Sequence, residues 1–164
     1  MKKRVAYDDA VDLLDADHKA VKKMFMEHAA LCDVDGPAQA KYALAQRICQ
    51  ALVIHAQLEE DFFCPAVRKA IDADDVMDEA LEEHAQAKKA IAQIKAMKPA
   101  DPRLDVAIVQ LSTLIDQHVL QEREQIFLQA RLEALDLRGM TLPLLKLQQQ
   151  LKNQVHPTRA KESA

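Results

Sequence analysis

Ile48-Cys49-Gln50-Ala51-Leu52-Val53-Ile54-His55-Ala56-Gln57-Leu58-Glu59-Glu60-Asp61-Phe62 decides the fold of this 164-residue chain. Ile48, Leu52, His55, Glu59 and Phe62 recur at the three- and four-residue spacing of one helix face, so a histidine and a glutamate take positions where apolar residues are expected. Four residues along a helix rotate by only about 40° and rise ~6 Å, which keeps His55 and Glu59 on one face. Glu60 rotates off that face and reads as a solvated surface charge.

The same substitution of ligating groups into an apolar stripe recurs three times. The first segment reads Val11, Leu14, His18, Val21, Phe25; the third reads Met77, Leu81, His84, Ile91, Ile94. The fourth reads Leu104, Ile108, Leu111, Ile115, His118, Glu122, Gln125, and repeats the His-x-x-x-Glu spacing, with Glu124 turned outward. Six polar groups therefore point inward. Leaving each one buried and unsatisfied costs roughly 1–3 kcal/mol, so a partner is required, and a metal is the natural one.

Loop signals at Asp33-Val34-Asp35-Gly36-Pro37, Ile71-Asp72-Ala73-Asp74-Asp75 and Lys98-Pro99-Ala100-Asp101-Pro102 separate four helices, expected at about 8–32, 38–70, 75–97 and 102–136. Gly139 is expected to close the last. With two glycines and 4% aromatic residues the composition favours helix throughout. Short connections then predict an all-α, antiparallel up-down-up-down four-helix bundle over 1–138. Residues 139–164 read as a short fifth helix beginning at Pro143, docking on the bundle or on another subunit, and a frayed tail from His156.

Depth along the helices gives an independent check, because antiparallel neighbours are level when equally far from their shared turn, at ~1.5 Å per residue. The midpoint of His18 and His55 falls at Gly36-Pro37, and that of His84 and His118 at Asp101. His55 and Glu59 meet His84 about the second turn. All four helices thus place their polar residues in one layer.

Two carboxylates and four imidazoles suit a pair of iron ions bridged by both carboxylates through Glu59 and Glu122, with two histidines per metal. A bridging oxo or hydroxo group gives each ion about five donors, one short of an octahedron, so dioxygen, nitric oxide, peroxide or water has a place to bind. Zinc is less favoured, since closed zinc sites are tetrahedral and commonly thiolate-rich; manganese stays open as a less favoured ion. Ferritin-like sites use Glu-x-x-His on two helices, and only Asp15-Ala16-Asp17-His18 has that spacing here.

On these residues, Asp17-His18, His55-x-x-x-Glu59-Glu60 leading to Phe63-Cys64-Pro65, Glu83-His84 and His118-x-x-x-Glu122, the chain resembles the hemerythrin-like or HHE cation-binding domains over about residues 10–135. The resemblance implies a non-haem di-iron centre with His18, His55, Glu59, His84, His118 and Glu122 as ligands. Oxygen-carrying hemerythrins have a fifth histidine on the third helix, where this chain has Ala80 and Lys88 one turn either side of His84. They also place an aspartate where Arg123 stands. The set is more similar to non-carrier members, which include iron-centre repair proteins, although the cysteine-containing N-terminal segment of those proteins has no counterpart here.

Among the remaining residues, Phe25, Phe62, Phe63, Met77 and Ile115 read as core and as the wall of a metal pocket. Asp15, Asp17 and Glu83 are either partners of histidine N–H groups or surface charges. Lys88 either fills the space of the missing histidine or points outward. His28 reads as structural, His156 as solvated, and Cys64 as a buried inert thiol.

A net charge of −4 offers no field for nucleic acid or anionic lipid, and no apolar run reaches the roughly 20 residues of a membrane span. Met1-Lys2-Lys3-Arg4 is followed by Asp8, Asp9 and Asp12 rather than an apolar stretch, so no export signal is expected. Three cysteines without C-x-x-C spacing suggest a reducing cytoplasm. The functional expectation is a cytoplasmic di-iron protein that binds or senses dioxygen, nitric oxide or redox state, or handles iron. The alternatives are an enzyme reducing peroxide or nitric oxide, or an iron-centre repair protein. No separate catalytic acid or base stands out, and the protein partner is unknown.

Overall fold

The computed structural model describes residues 9–133 and 135–155. The expected tail from His156 and the basic start at Met1 lie outside them. Helix α1 spans Ala10–Asp33, with Asp9 as its N-cap accepting from the amide of Asp12 at 2.9 Å. Helix α2, Ala38–Leu58, runs through a π-helical turn, Glu59–Phe63, into α3, Cys64–Ala70. Helix α4 covers Asp74–Lys95, and α5, Leu104–Gln121, passes through a second π turn, Glu122–Phe127, into α6, Leu128–Leu132. The last helix, α7, spans Thr141–Val155.

The four long rods pack around a square, α1 beside α2 and α5, and α4 beside α2 and α5. Asp35 makes the first turn possible by taking a left-handed conformation (φ 50°), which aspartate tolerates better than bulkier residues. The polar layer divides the apolar interior in two. At one end Leu13, Leu14, Leu58, Phe63, Met77, Ile126 and Phe127 pack together with Leu144 of α7. At the other end Val21, Phe25, Ile48, Leu52, Ile94, Leu104 and Leu111 form the second core.

Three inward assignments differ from the sequence pattern, each for a local reason. A π turn accommodates one extra residue, and the turn at Glu59 moves the inward position from Phe62, which is half-buried, to Phe63, which is 0% exposed. The second turn does the same at Gln125, which is exposed, while Ile126 and Phe127 are buried. On α4 it is Ala80 that faces the core three residues after Met77, and Leu81 is 39% exposed.

The fourth rod ends at Leu132, earlier than the expected 136, because Glu133 turns to an extended conformation (ψ 148°) and Leu137 and Met140 then enter the core. Gly139 therefore closes no helix. It lies in the connecting turn, where its amide donates to Asp136 at 3.0 Å. Helix α7 starts at Thr141 rather than Pro143 and docks on α1 and α2 of its own chain, with Leu144 0% exposed. No helix among the described residues is long and apolar enough to cross a membrane.

Candidate metal centre

His18, His55, Glu59, His84, His118 and Glu122, all buried, meet in one layer between the two apolar cores. They form two groups, His18, His55, Glu59, Glu122 and Glu59, His84, His118, Glu122, each with ligand atoms within 4.8 Å of one another. Both groups contain both glutamates. Glu122 faces the two groups with separate oxygens, Oε1 at 3.1 Å from Nε2 of His18 and Oε2 at 3.3 Å from Nε2 of His118. Oε1 of Glu59 lies 3.0 Å from Nε2 of His55 and 3.4 Å from Nε2 of His84.

Within each group the imidazole nitrogens are paired. Nε2 of His18 and His55 are 3.0 Å apart, and those of His84 and His118 are 3.1 Å apart. Two nitrogens held ~2.1 Å from one ion at a right angle are about 3.0 Å apart, against about 3.4 Å at the tetrahedral angle. Each pair stands at hydrogen-bond distance and is close enough for both nitrogens to bind one ion. Both oxygens of Glu59 and Oε1 of Glu122 are buried with no hydrogen-bond partner among the described residues, an arrangement that fits a cation bound between them.

The opposite ring nitrogens are equally organised, because every histidine of the layer has a carboxylate at Nδ1. Asp15 lies 3.3 Å from His18, Asp17 3.1 Å from His55, Glu60 3.4 Å from His84 and Glu83 3.0 Å from His118. At His18, His55 and His118 the carboxylate hydrogen-bonds the ring, fixes it with Nε2 facing inward and makes that nitrogen a better donor to a metal, whereas Nδ1 of His84 and the Glu60 oxygen facing it form no hydrogen bond among the described residues. Three of the four are themselves held: Arg123 donates to Asp15 at 2.6 Å, Gln148 to Asp17 at 3.2 Å, and Lys88 to Glu60 at 2.5 Å. Asp15, Asp17 and Glu83 are therefore histidine partners, and Lys88 points to Glu60 and not into the layer.

Glu60 is the correction to the sequence reading. It is half-buried, 3.4 Å from Nδ1 of His84, whereas Glu124 is exposed as expected. Adjacency to Glu59 was the available signal, since a residue one position on faces the neighbouring rod α4. Gln148 had no signal at all, because its role depends on where α7 docks.

The electrostatics follow from packing two carboxylates among four imidazoles. Burial opposes charge on His55, but the Glu59 carboxylate and the hydrogen bond to Asp17 outweigh it and push the ring up to about 10. Burial likewise opposes charge on His118, and Glu122 and Glu59 push it up to about 11. Glu59 is held well below the usual carboxylate range against its own burial, chiefly by the charge of His55. Around Asp15, burial opposes ionisation, and Arg123 and His18 overcome it. Burial pushes the Cys64 thiol well up, which agrees with an inert cysteine.

Beside His84 and His118 lies a cavity of about 30 Å³, walled mainly by Leu52, Ala87, Ile91, Leu114 and Ile115. That is room for one or two water-sized molecules, since one needs roughly 10–15 Å³.

The chain belongs to the hemerythrin HHE cation-binding domain family, which matches residues 9–130. The buried histidine and glutamate cluster fits that family's ligand set. The chain is also 30% identical over 116 residues to a protein named DNA nickase from Nostoc sp. (strain PCC 7120 / SAG 25.82 / UTEX 2576), a match covering 71% of this chain and 32% of that protein. The chain thus spans about a third of that relative's length. No solved structure matches.

Proposed function

We propose that His18, His55, Glu59, His84, His118 and Glu122 hold two iron ions bridged by Glu59 and Glu122, and that the centre binds or senses dioxygen, nitric oxide or redox state. The observation that carries this reading is that two four-residue groups of buried ligand atoms share both carboxylates, each with its own pair of histidines. Iron bound there would supply Lewis acidity and, unlike zinc, one-electron redox chemistry. The chain's own part is to fix three rings through Asp15, Asp17 and Glu83, to place the Glu60 carboxylate beside the fourth, and to keep water out with the two cores. The 30 Å³ cavity against His84 and His118 matches a diatomic ligand and is too small for an organic substrate.

Cys32, Cys49 and Cys64 are free thiols, in keeping with a reducing cytoplasm. A net charge of −4 argues against carrying a DNA-directed role over from the longer relative. The test is iron loading followed by exposure of the reduced protein to nitric oxide. About two irons per chain and a spectrum that changes with the gas are expected, and Ile115→Trp, which fills the cavity, should retain iron and lose the change. Stoichiometric zinc in a colourless protein that refuses iron would overturn the reading.

A further inference from the structure

A second cluster of metal-binding side chains lies at the far end of the bundle. His28 follows His18 by ten residues on α1, ~15 Å further along the helix. With Cys32 one turn later and Asp105 in the first turn of α5, it offers three ligand atoms within 4.8 Å of one another. None of the three belongs to the histidine and glutamate layer. The cluster also departs from that layer in chemistry, since it contains a thiol.

His28 is 1% exposed, and its Nε2 is buried with no hydrogen-bond partner among the described residues. A ring nitrogen taken out of water without a partner costs roughly 1–3 kcal/mol, so its placement calls for something to bind it. Nε2 faces Oδ1 of Asp105 at 3.8 Å, beyond hydrogen-bond range, whereas the Cys32 sulfur lies 3.6 Å from the other ring nitrogen, Nδ1, so an ion on Nε2 gains the sulfur only when Cys32 turns about its Cα–Cβ bond. Two ligands ~2.05 Å from one zinc at the tetrahedral angle are about 3.4 Å apart, so a closure of a few tenths of an ångström would complete the His28–Asp105 edge. Lys41 donates to the other carboxylate oxygen, Oδ2, at 2.9 Å, and the Cys32 thiol hydrogen-bonds the same carboxylate through the proton that an ion would displace.

We propose that His28, Cys32 and Asp105 form a separate three-residue site for a tetrahedral, thiolate-preferring divalent ion of the zinc type, with the fourth position open to water. Cys32 and Asp105 are half-buried, which gives the ion a way in from solvent. Binding replaces the thiol proton by the metal, and the released proton goes to water. A thiolate, an imidazole and one carboxylate suit zinc better than iron or magnesium. The pair Lys41–Asp105 lowers affinity, so the site suits exchangeable rather than permanently structural metal.

The experiment titrates the full chain, after iron loading, with cobalt(II) and then with zinc. One further ion per chain is expected, with a thiolate-to-cobalt charge-transfer band that zinc abolishes. No member of the histidine and glutamate layer is a cysteine, so this band reports the new site whether or not the di-iron reading holds. Cys32→Ser should remove the band and weaken zinc binding at least tenfold with iron content unchanged. Asp105→Asn, at a half-exposed position, should keep the band and weaken binding several-fold. Absence of a further ion, or binding indifferent to either substitution, would overturn the proposal.

Discussion

The side-chain amide of Gln148, on the last helix, donates to Oδ1 of Asp17 at 3.2 Å, and the other oxygen of that carboxylate lies 3.1 Å from Nδ1 of His55. The C-terminal helix thereby reaches the histidine and glutamate layer through one intermediate side chain. Loss of a carboxylate that orients a ligating histidine typically weakens metal binding about 10–100-fold. Asp17→Ala should fall in that range and Gln148→Ala below it, as read by competition for iron with a chelator. Equal affinity in wild type and Asp17→Ala would remove the role given to the Nδ1 partners.

The two glutamates serve both groups, whereas each histidine serves one. Glu59→Ala or Glu122→Ala should therefore lower iron content more than His18→Ala. Glu60→Ala should weaken iron moderately through His84, and Glu124→Ala should do nothing. Metal analysis of the purified variants checks the order; a Glu60 effect larger than that of Glu59 would contradict the geometry.

Proton binding gives a prediction with a definite sign. In metal-free protein His55 and His118 are raised to about 10 and about 11, above the ~6.5 of an unfolded histidine. Their stabilising contribution is complete below ~6.5 and is lost as pH rises through 10–11, so the melting temperature of the metal-free form should fall over that window. Iron requires those protons to leave, so its affinity should rise with pH over the same range. Thermal unfolding and iron titration at several pH values measure both slopes, and parallel slopes would refute the assignment.

Removing metal should destabilise the fold. A ligand present at about 1,000 times its dissociation constant adds about 4 kcal/mol, which for a chain of this size is roughly 10 °C in Tm. Calorimetry of loaded and metal-free protein should show a drop of that order. Equal melting temperatures would mean that the layer is satisfied without metal.

Leu144 anchors α7 in the core that contains Leu13, Leu14 and Leu58. Leu144→Ala should cost about 2–5 kcal/mol if the helix belongs to the cooperative unit, as buried leucine truncations do. A cost below 1 kcal/mol, read from denaturant unfolding, would mean that α7 frays independently.

The bundle and its layer were legible because helical periodicity and turn chemistry are local. His55 and Glu59 declare their shared face within five residues, and the depth of His18, His84 and His118 follows from where the turns fall. The two π turns were not legible, since an extra residue in a helix leaves no mark in composition, and the inward facing of Phe63 and Ile126 depends on them. Gln148 and Leu137 were invisible for another reason: each acquires its partner only through the docking of a distant segment, which one sequence does not specify.

The polar layer also governs how the molecule comes apart. With ions in place it acts as a rivet through four rods, and amides on both sides should exchange with solvent only when the whole bundle opens. Without them each core is a small half-bundle joined to the other through a stratum of charge, and the two ends are free to open on separate clocks. Hydrogen exchange around Leu58 and around Ile48 should therefore run in step in the loaded protein and diverge in the stripped one, so that metal content would be written into the rhythm of the whole chain.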